Sequence, residues 1–307
     1  MTSAIELIAL TKVYGDTRAL DGATLTVPAG AVYGFLGPNG AGKTTTLRIL
    51  AGLARPTSGE ARVFGRDAVK ATTAVRADIG FLPDVPGYYH WMTADGFLRF
   101  AGRLFGVDGP VLEQRVASLL DLSGLKGVTT KIGGYSRGMK QRLGVAQALI
   151  SAPKLLMLDE PTSALDPMGR KDVLDMISAL RGRTTVFFST HILSDVERVC
   201  DTVAVLHDGR VVREAPIADL KHSGAATRVL VEIADRPAEV ASLLAEEPWT
   251  GECVREGRTI TCAIEDVESA RRRIPQVVAG LEASLVRVEE LEPTLEDVFV
   301  ELVGGDA

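Results

Sequence analysis

Apolar positions along the chain switch between short unbroken runs and helical spacing. Residues 31–36 are apolar throughout, with a Pro28-Ala29-Gly30 turn before them and Gly37 after. A short apolar run held between turn residues predicts a buried strand. Residues 155–158 and 185–189 repeat the pattern, and the stretches 139–150 and 170–180 carry helical spacing. Strands that alternate with helices predict a parallel sheet covered on both faces. Ahead of this core, residues 1–10 and 23–27 read as strands around a turn at Tyr14-Gly15-Asp16.

Two segments depart from the alternation. Between about 85 and 134, Phe97, Leu98, Phe100, Ala101 and Leu104 recur at helical spacing, followed by Val111, Leu112, Val116, Leu119 and Leu120. This predicts a helical insertion. Beyond residue 222 the order becomes strand 228–233, helix 237–246, hairpin 251–255 with 258–264, helix 266–278 and strand 284–291. That β-α-β-β-α-β order is a ferredoxin-like split unit. A last amphipathic helix is predicted at 293–303, with Leu295, Val298, Phe299 and Leu302 on one face. The expected division is therefore residues 1–222 and a smaller α+β domain at 223–307.

The strand at 31–36 runs directly into Gly37-Pro38-Asn39-Gly40-Ala41-Gly42-Lys43-Thr44, a full match to GxxxxGK[ST], with Thr45 following. Glycines let the backbone turn its N–H groups onto an anion. The helix that follows adds its positive end. Lys43 then reaches the β- and γ-phosphates of a nucleotide, and the Thr44 hydroxyl faces Mg2+. The apolar strand 155–158 ends in Asp159-Glu160. Ligands of parallel sheets lie beyond the carboxyl ends of the strands. That location assigns Asp159 to Mg2+ and Glu160 to the attacking water. The chemistry predicted is ATP binding and hydrolysis with Mg2+.

Composition narrows the partners. The 307 residues are 46% hydrophobic and 24% charged, enough for a sizeable core. A net charge of -6 and a pI near 5.4 argue against nucleic acid. Mean hydropathy is slightly positive, but no apolar run approaches the length of a spanning helix. The N-terminal MTSAIELIAL lacks a basic region ahead of an apolar one and is not read as a secretory signal. The expectation is a cytoplasmic protein that forms no pore itself. Cys200, Cys253 and Cys262 form no CxxC pair. Cys253 and Cys262 could face each other across the hairpin, and in a reducing cytosol they are expected as packed thiols.

Residues 4–222 resemble the ATP-binding cassette (ABC) family. The resemblance rests on the ordered motifs above and on four further ones. Tyr14 stands where the family stacks an aromatic on adenine. The segment from Tyr135 to Arg142, YSRGMKQR, is similar to the signature L-S-G-G-Q-x-x-R and keeps Ser136 and Gly138. Ser163-Ala164-Leu165-Asp166 resembles the loop that links the two sites of a dimer, and His191 the switch histidine at the γ-phosphate. The fold implied is α/β: a P-loop NTPase ABC cassette. It has a mostly parallel sheet, an antiparallel β part, the helical insertion, and the ferredoxin-like C-terminal domain appended. In the family the signature of one chain closes over the ATP held by a second copy, so a homodimer is implied.

One departure concerns Gly80-Phe81-Leu82-Pro83-Asp84, where the family usually has Gln in the last position. Asp84 either binds the metal shell through a water or is a solvated loop carboxylate. The Leu-Pro-acid segment, the Pro86-Gly87-Tyr88-Tyr89 that follows and the tail from Pro293 to Phe299 resemble one branch of the family. That branch holds the separate ATPase subunits of ABC-2 type exporters of the drug-resistance, sodium-efflux and polysaccharide-export kind. A separate integral-membrane permease is then the implied partner, with the chain peripheral on the cytoplasmic face of the membrane. The helical insertion and its entry, residues 85–92, are the expected docking surface, unless Tyr89 and Trp91 instead cover the insertion's own core. The alternative is a soluble ABC ATPase acting on a cytosolic assembly. A single P-loop and the absence of sustained heptads speak against it.

Overall fold

The computed structural model describes residues 3–222 and 227–291. The chain divides into two units, Met1–Ile217 and Ala218–Ala307. The first unit begins with β1 (Ser3–Tyr14) and β2 (Thr17–Pro28), an antiparallel hairpin, and then β3 (Val32–Leu36). Next come α1 (Lys43–Leu50), β4 (Ser58–Val63), β5 (Arg66–Asp67), α2 (Thr72–Ala77) and β6 (Ile79–Leu82). The insertion supplies α3 (Ala94–Leu104) and α4 (Gly109–Leu122). The core resumes with α5 (Arg137–Ala148), β7 (Leu155–Asp159), α6 (Pro167–Ala179), β8 (Thr185–Thr190) and α7 (Leu193–Val199). It closes with β9 (Thr202–His207) and β10 (Arg210–Pro216); α8 (Ile217–His222) starts at the boundary and belongs to the second unit from Ala218 on.

Six strands form the central sheet in the order β10-β9-β3-β8-β7-β6. The neighbours from β9 to β6 run parallel, and β10 joins antiparallel at the edge. Every residue of β3, β7 and β8 is buried, as central strands covered on both faces must be. Tyr33 and Phe35 point to one face, into a core shared with Leu7 of β1, Leu47 of α1, Met157 and Phe187. Gly34 points to the other, where a Cβ would lie 2.9 Å from Cys200 Sγ at the end of α7. A second, antiparallel sheet, β2-β1-β4-β5, completes the antiparallel part expected.

Hydrophobic spacing misses the sheet edges. β1 runs on through Thr11 and Lys12 to Tyr14, because register shifts let it keep pairing past its polar residues. β4 is half exposed and β10 mostly exposed, so little apolar alternation marks them. In the insertion, Thr93 caps α3 by accepting from Gly96 N, and α3 turns Phe97, Leu98 and Ala101 inward. Leu112, Val116, Leu119 and Leu120 of α4 are buried, whereas Phe100, Leu104 and Val111 stay exposed.

The second unit contains β11 (Thr227–Ile233), α9 (Pro237–Ala245), β12 (Thr250–Glu256), β13 (Thr259–Ile264), α10 (Val267–Gly280) and β14 (Leu285–Leu291). All of its pairs are antiparallel, in the order β12-β13-β11-β14 of a split βαβ unit. Val229, Val231, Leu244, Trp249, Ile260 and Ile274 form its core. The helix expected at 293–303 lies outside the described residues. The expectation for the cysteines is corrected: Cys253 and Cys262 form a disulfide, and Cys200 alone is a free, buried thiol. The register that runs unbroken from the turn at Gly257-Arg258 sets the two cysteines directly opposite each other, with Cα atoms 4.1 Å apart.

Candidate functional site

β3 delivers the chain to the glycine-rich loop at the carboxyl end of the central sheet. Gly42 precedes α1 in a left-handed conformation, φ +109°, and a Cβ there would stand 2.4 Å from Ala19 O. No L side chain fits such a backbone approach without displacing it. Lys43 is 6% exposed. Its Nζ donates to Gly37 O at 2.7 Å and to Pro38 O at 3.1 Å, which folds the ammonium back over the loop. A cavity of about 220 Å3 opens between Asn39, Gly40, Gly42, Lys43, Thr44, Thr45, Asp84 and Glu160. Asp84 thus faces the same space as the cradle.

The two acids are consecutive at the end of β7, and their side chains meet different partners. Asp159 ends β7 and is 2% exposed. Its Oδ1 accepts from Thr44 Oγ1 at 3.1 Å and from Ser189 Oγ, at the end of β8, at 2.7 Å. Glu160 takes a left-handed φ of +48°, which turns its side chain back over the loop. Its backbone N–H is held by Ser189, through both O and Oγ at 3.1 Å. Its Oε1 faces Lys43 Nζ at 3.1 Å as an ion pair and takes no aligned hydrogen bond. Its Oε2 lies 2.9 Å from His191 Nδ1. Lys43, Glu160 and His191 therefore form one connected row across the ends of α1, β7 and β8.

The structure places three expected residues away from both the phosphate loop and the two acids. Tyr14 is 46% exposed at the tip of the β1–β2 hairpin, with Lys12 Nζ 4.5 Å from its ring centroid. Ser136 caps α5 by accepting from Met139 N at 3.2 Å. Gly138 lies in the first turn of α5, against Gly169 of α6. The remaining loop residues, Gly37, Pro38 and Ala41, shape the cradle from beneath; Ala41 is buried.

Comparison with known proteins joins these features. The ABC transporter family matches residues 20–163, and the family of DrrA1-3-like ATP-binding proteins, C-terminal domain, matches residues 216–303. An ABC transporter ATP-binding protein of Bacillus subtilis (strain 168), YxlF, is 38% identical over 97% of this chain and 99% of its own. The daunorubicin/doxorubicin resistance ATP-binding protein DrrA of Streptomyces peucetius is 37% identical over 100% of this chain and 94% of its own. This chain is an ABC transporter ATP-binding protein. Its activity is the binding and hydrolysis of ATP that powers a transporter, and the soluble alternative finds no support among these relatives. The ATP-binding cassette MJ0796, solved as a dimer in a post-hydrolysis state with ADP and Pi, superposes with a TM-score of 0.63. It is 26% identical, and the match covers 69% of this chain and 98% of that one.

The donor set of the ABC ATPase site suits a nucleotide with Mg2+. Among the described residues no group of three or more His, Cys, Asp or Glu forms a metal cage. Mg2+ with a phosphate substrate needs one or two protein oxygens and keeps waters for the rest. The Thr44 hydroxyl and the Asp159 carboxylate, already 3.1 Å apart beside the cradle, are such a pair. Ser189 is the member that sequence reasoning missed. Its only signal is a hydroxyl at the end of an apolar strand; that the strand neighbours β7 emerges from the fold. No helix among the described residues is long and apolar enough to cross a membrane.

Proposed function

We propose that this ABC ATPase is the energising subunit of an ABC-2 type exporter, acting as a homodimer beneath a separate permease on the cytoplasmic face of the membrane. The observation that carries the dimer is the distance in the fold between the two halves of the site. Ser136 and the N-terminus of α5 do not line the cavity that holds Lys43, Thr44 and Glu160. Such a helix start binds phosphate, and in this reading it serves the ATP of a second copy. The export direction rests on relatives described as bacitracin transport, daunorubicin resistance and Nod factor export ATP-binding proteins.

In this reading Tyr14 stacks on adenine, Lys43 and His191 bind the γ-phosphate, and Glu160 polarises the attacking water. Thr44 and Asp159 would hold Mg2+, and Asp84, which lines the same cavity, would act on it through water. Mg2+ supplies charge neutralisation between the phosphates when bound. The permease docks on the insertion. There Tyr88 is internal, donating from its hydroxyl to Lys140 O at 2.6 Å and packing edge-on against Phe97. Tyr89 and Trp91 pair with each other and stay 48% and 68% exposed, beside a groove of about 480 Å3 lined by Phe100, Leu104 and Phe105. Exposed aromatic anchors beside an apolar groove suit an amphipathic helix of the permease.

Glu160→Gln keeps the shape of the side chain and removes the general base. With Mg-ATP the variant elutes on sizing chromatography as a stable dimer, and without nucleotide as a monomer. Elution as a monomer under both conditions contradicts the shared-site reading.

A further inference from the structure

The only fully buried carboxylate outside the phosphate site, among the described residues, is Asp195 in the first turn of α7. Two groups from other segments converge on it. The Thr162 hydroxyl, itself 1% exposed, donates to Oδ2 at 2.5 Å. Arg170 of α6 makes an ion pair with Oδ1 through Nε, and its Nη2 donates to Ser194 Oγ at 2.5 Å. A buried charge is tolerated only when it is paired and hydrogen-bonded, so the three groups have one low-energy arrangement.

What matters is where those groups sit along the chain. Thr162 is two residues beyond Glu160, Asp195 four beyond His191, and Arg170 four beyond Asp166. Asp166 caps α6 by accepting from Gly169 N at 3.3 Å, so Arg170 is fixed to the loop 163–166 by one turn of helix. Glu160 and Ala164 on either side of Thr162 both have left-handed backbones, φ +48° and +51°. Such a segment keeps its shape only if its surroundings hold it. The Glu160–His191 contact at 2.9 Å closes the circuit on the other side.

We propose that Asp195 is a positioning residue for hydrolysis: through Thr162 and Arg170 it locks the segment carrying Glu160, the loop 163–166 and the segment carrying His191 into one body. The inference rests on the roles assigned to Glu160 and His191. It adds that the loop 163–166 is mechanically continuous with the hydrolytic pair, so displacement of residues 163–166 is delivered to Glu160. Nucleotide binding depends on the cradle and is not part of this bracket.

The test is a separation of kcat from KM in the full chain. Thr162→Val keeps the side-chain shape and removes the donor. It lowers kcat for Mg-ATP about tenfold and leaves KM within about threefold, because misorientation of a reacting group acts on the chemical step. Thr162→Ser returns the hydroxyl and restores kcat. Asp195→Asn lowers kcat at least as far, with fluorescent-nucleotide affinity unchanged. Rates are normalised to the folded fraction determined by calorimetry. The proposal is overturned if Thr162→Val and Asp195→Asn hydrolyse ATP at the parent rate. It is equally overturned if their losses vanish on that normalisation, which makes the bracket a matter of folding alone. Glu160→Gln run in parallel separates the two ideas: parental turnover in that variant removes the assigned base, whatever the Asp195 series does.

Discussion

Replacing Gly42 with alanine tests the cradle at its tightest point. The new Cβ meets two obstacles. The backbone is held at φ +109°, outside the regions an L residue prefers, which costs about 1–3 kcal/mol. It would also stand 2.4 Å from Ala19 O and 2.7 Å from Leu20 Cδ2, and the first of these is backbone that cannot swing away. Forced shifts of that kind add about 1–3 kcal/mol. The sum, about 4 kcal/mol, corresponds to a fall in melting temperature of about 10 °C for a unit of this size. Gly40→Ala is the matched control. Its φ of +87° carries the strain, but nothing lies within 4 Å of the new methyl group. Its melting temperature falls by only about 3 °C, for a cost of about 1 kcal/mol. Scanning calorimetry of both variants gives the comparison. Fluorescent-ATP titration of Gly42→Ala adds a loss of affinity of at least about tenfold, or about 1.4 kcal/mol, as the loop N–H groups are pushed off the phosphate. If Gly42→Ala melts no lower than Gly40→Ala, the contact with Ala19 does not shape the cradle and the reasoning fails.

Three further predictions concern other parts of the chain. Ser189→Ala removes the donor to Asp159 Oδ1 and one acceptor for Glu160 N–H; a lost hydrogen bond to a charged group costs about 1.5–3 kcal/mol, and ATP turnover falls while folding survives. Calorimetry combined with a phosphate-release assay checks it, and a parental rate counts against the link between the two acids. Reducing the Cys253–Cys262 bond, which spans nine positions, releases about 2.5 kcal/mol of chain-entropy restraint from the second unit. Added reductant therefore lowers one calorimetric transition of the full chain and spares the other; identical traces refute this. Trp91→Ala, at a side chain 68% exposed, leaves stability within about 0.5 kcal/mol and isolated ATP turnover unchanged. Transport in vesicles containing the permease falls, and unchanged transport would exclude the patch as the docking surface.

The cradle was legible because its parts are contiguous: one strand, one loop and one helix start carry Gly37 to Thr45, and nothing distant is needed to recognise them. The second acidic element was legible because a buried strand with polar termini leaves its mark in sequence. What links the two was not. Ser189 reaches Asp159 across neighbouring strands 30 residues apart in sequence, and strand order is a property of the sheet. The Asp195 bracket is hidden for the same reason, since Thr162, Arg170 and Asp195 look like unrelated polar residues until three elements pack. The cysteines illustrate a narrower limit. The hairpin and its turn at Gly257-Arg258 place Cys253 opposite Cys262, but whether two facing thiols bond is not encoded in apolar alternation. The insertion fared in between. Its spacing predicted two helices, yet only packing divided its aromatics into Tyr88 and Phe97 inside and Tyr89 and Trp91 outside.

The contact between Lys43 and Glu160 has a consequence for timing. Before any substrate arrives, the lysine already neutralises the acid beside it, and His191 holds the other carboxylate oxygen. Both oxygens of the Glu160 carboxylate are thus engaged by neighbouring side chains. Lys43 can serve a phosphate only by giving up part of its hold on Glu160. In the proposed reading of Glu160, the same event that fills the cradle therefore frees its carboxylate, and a chain without nucleotide has little means of activating a stray water. The pair works as an interlock: the step that loads the site is also the step that arms it.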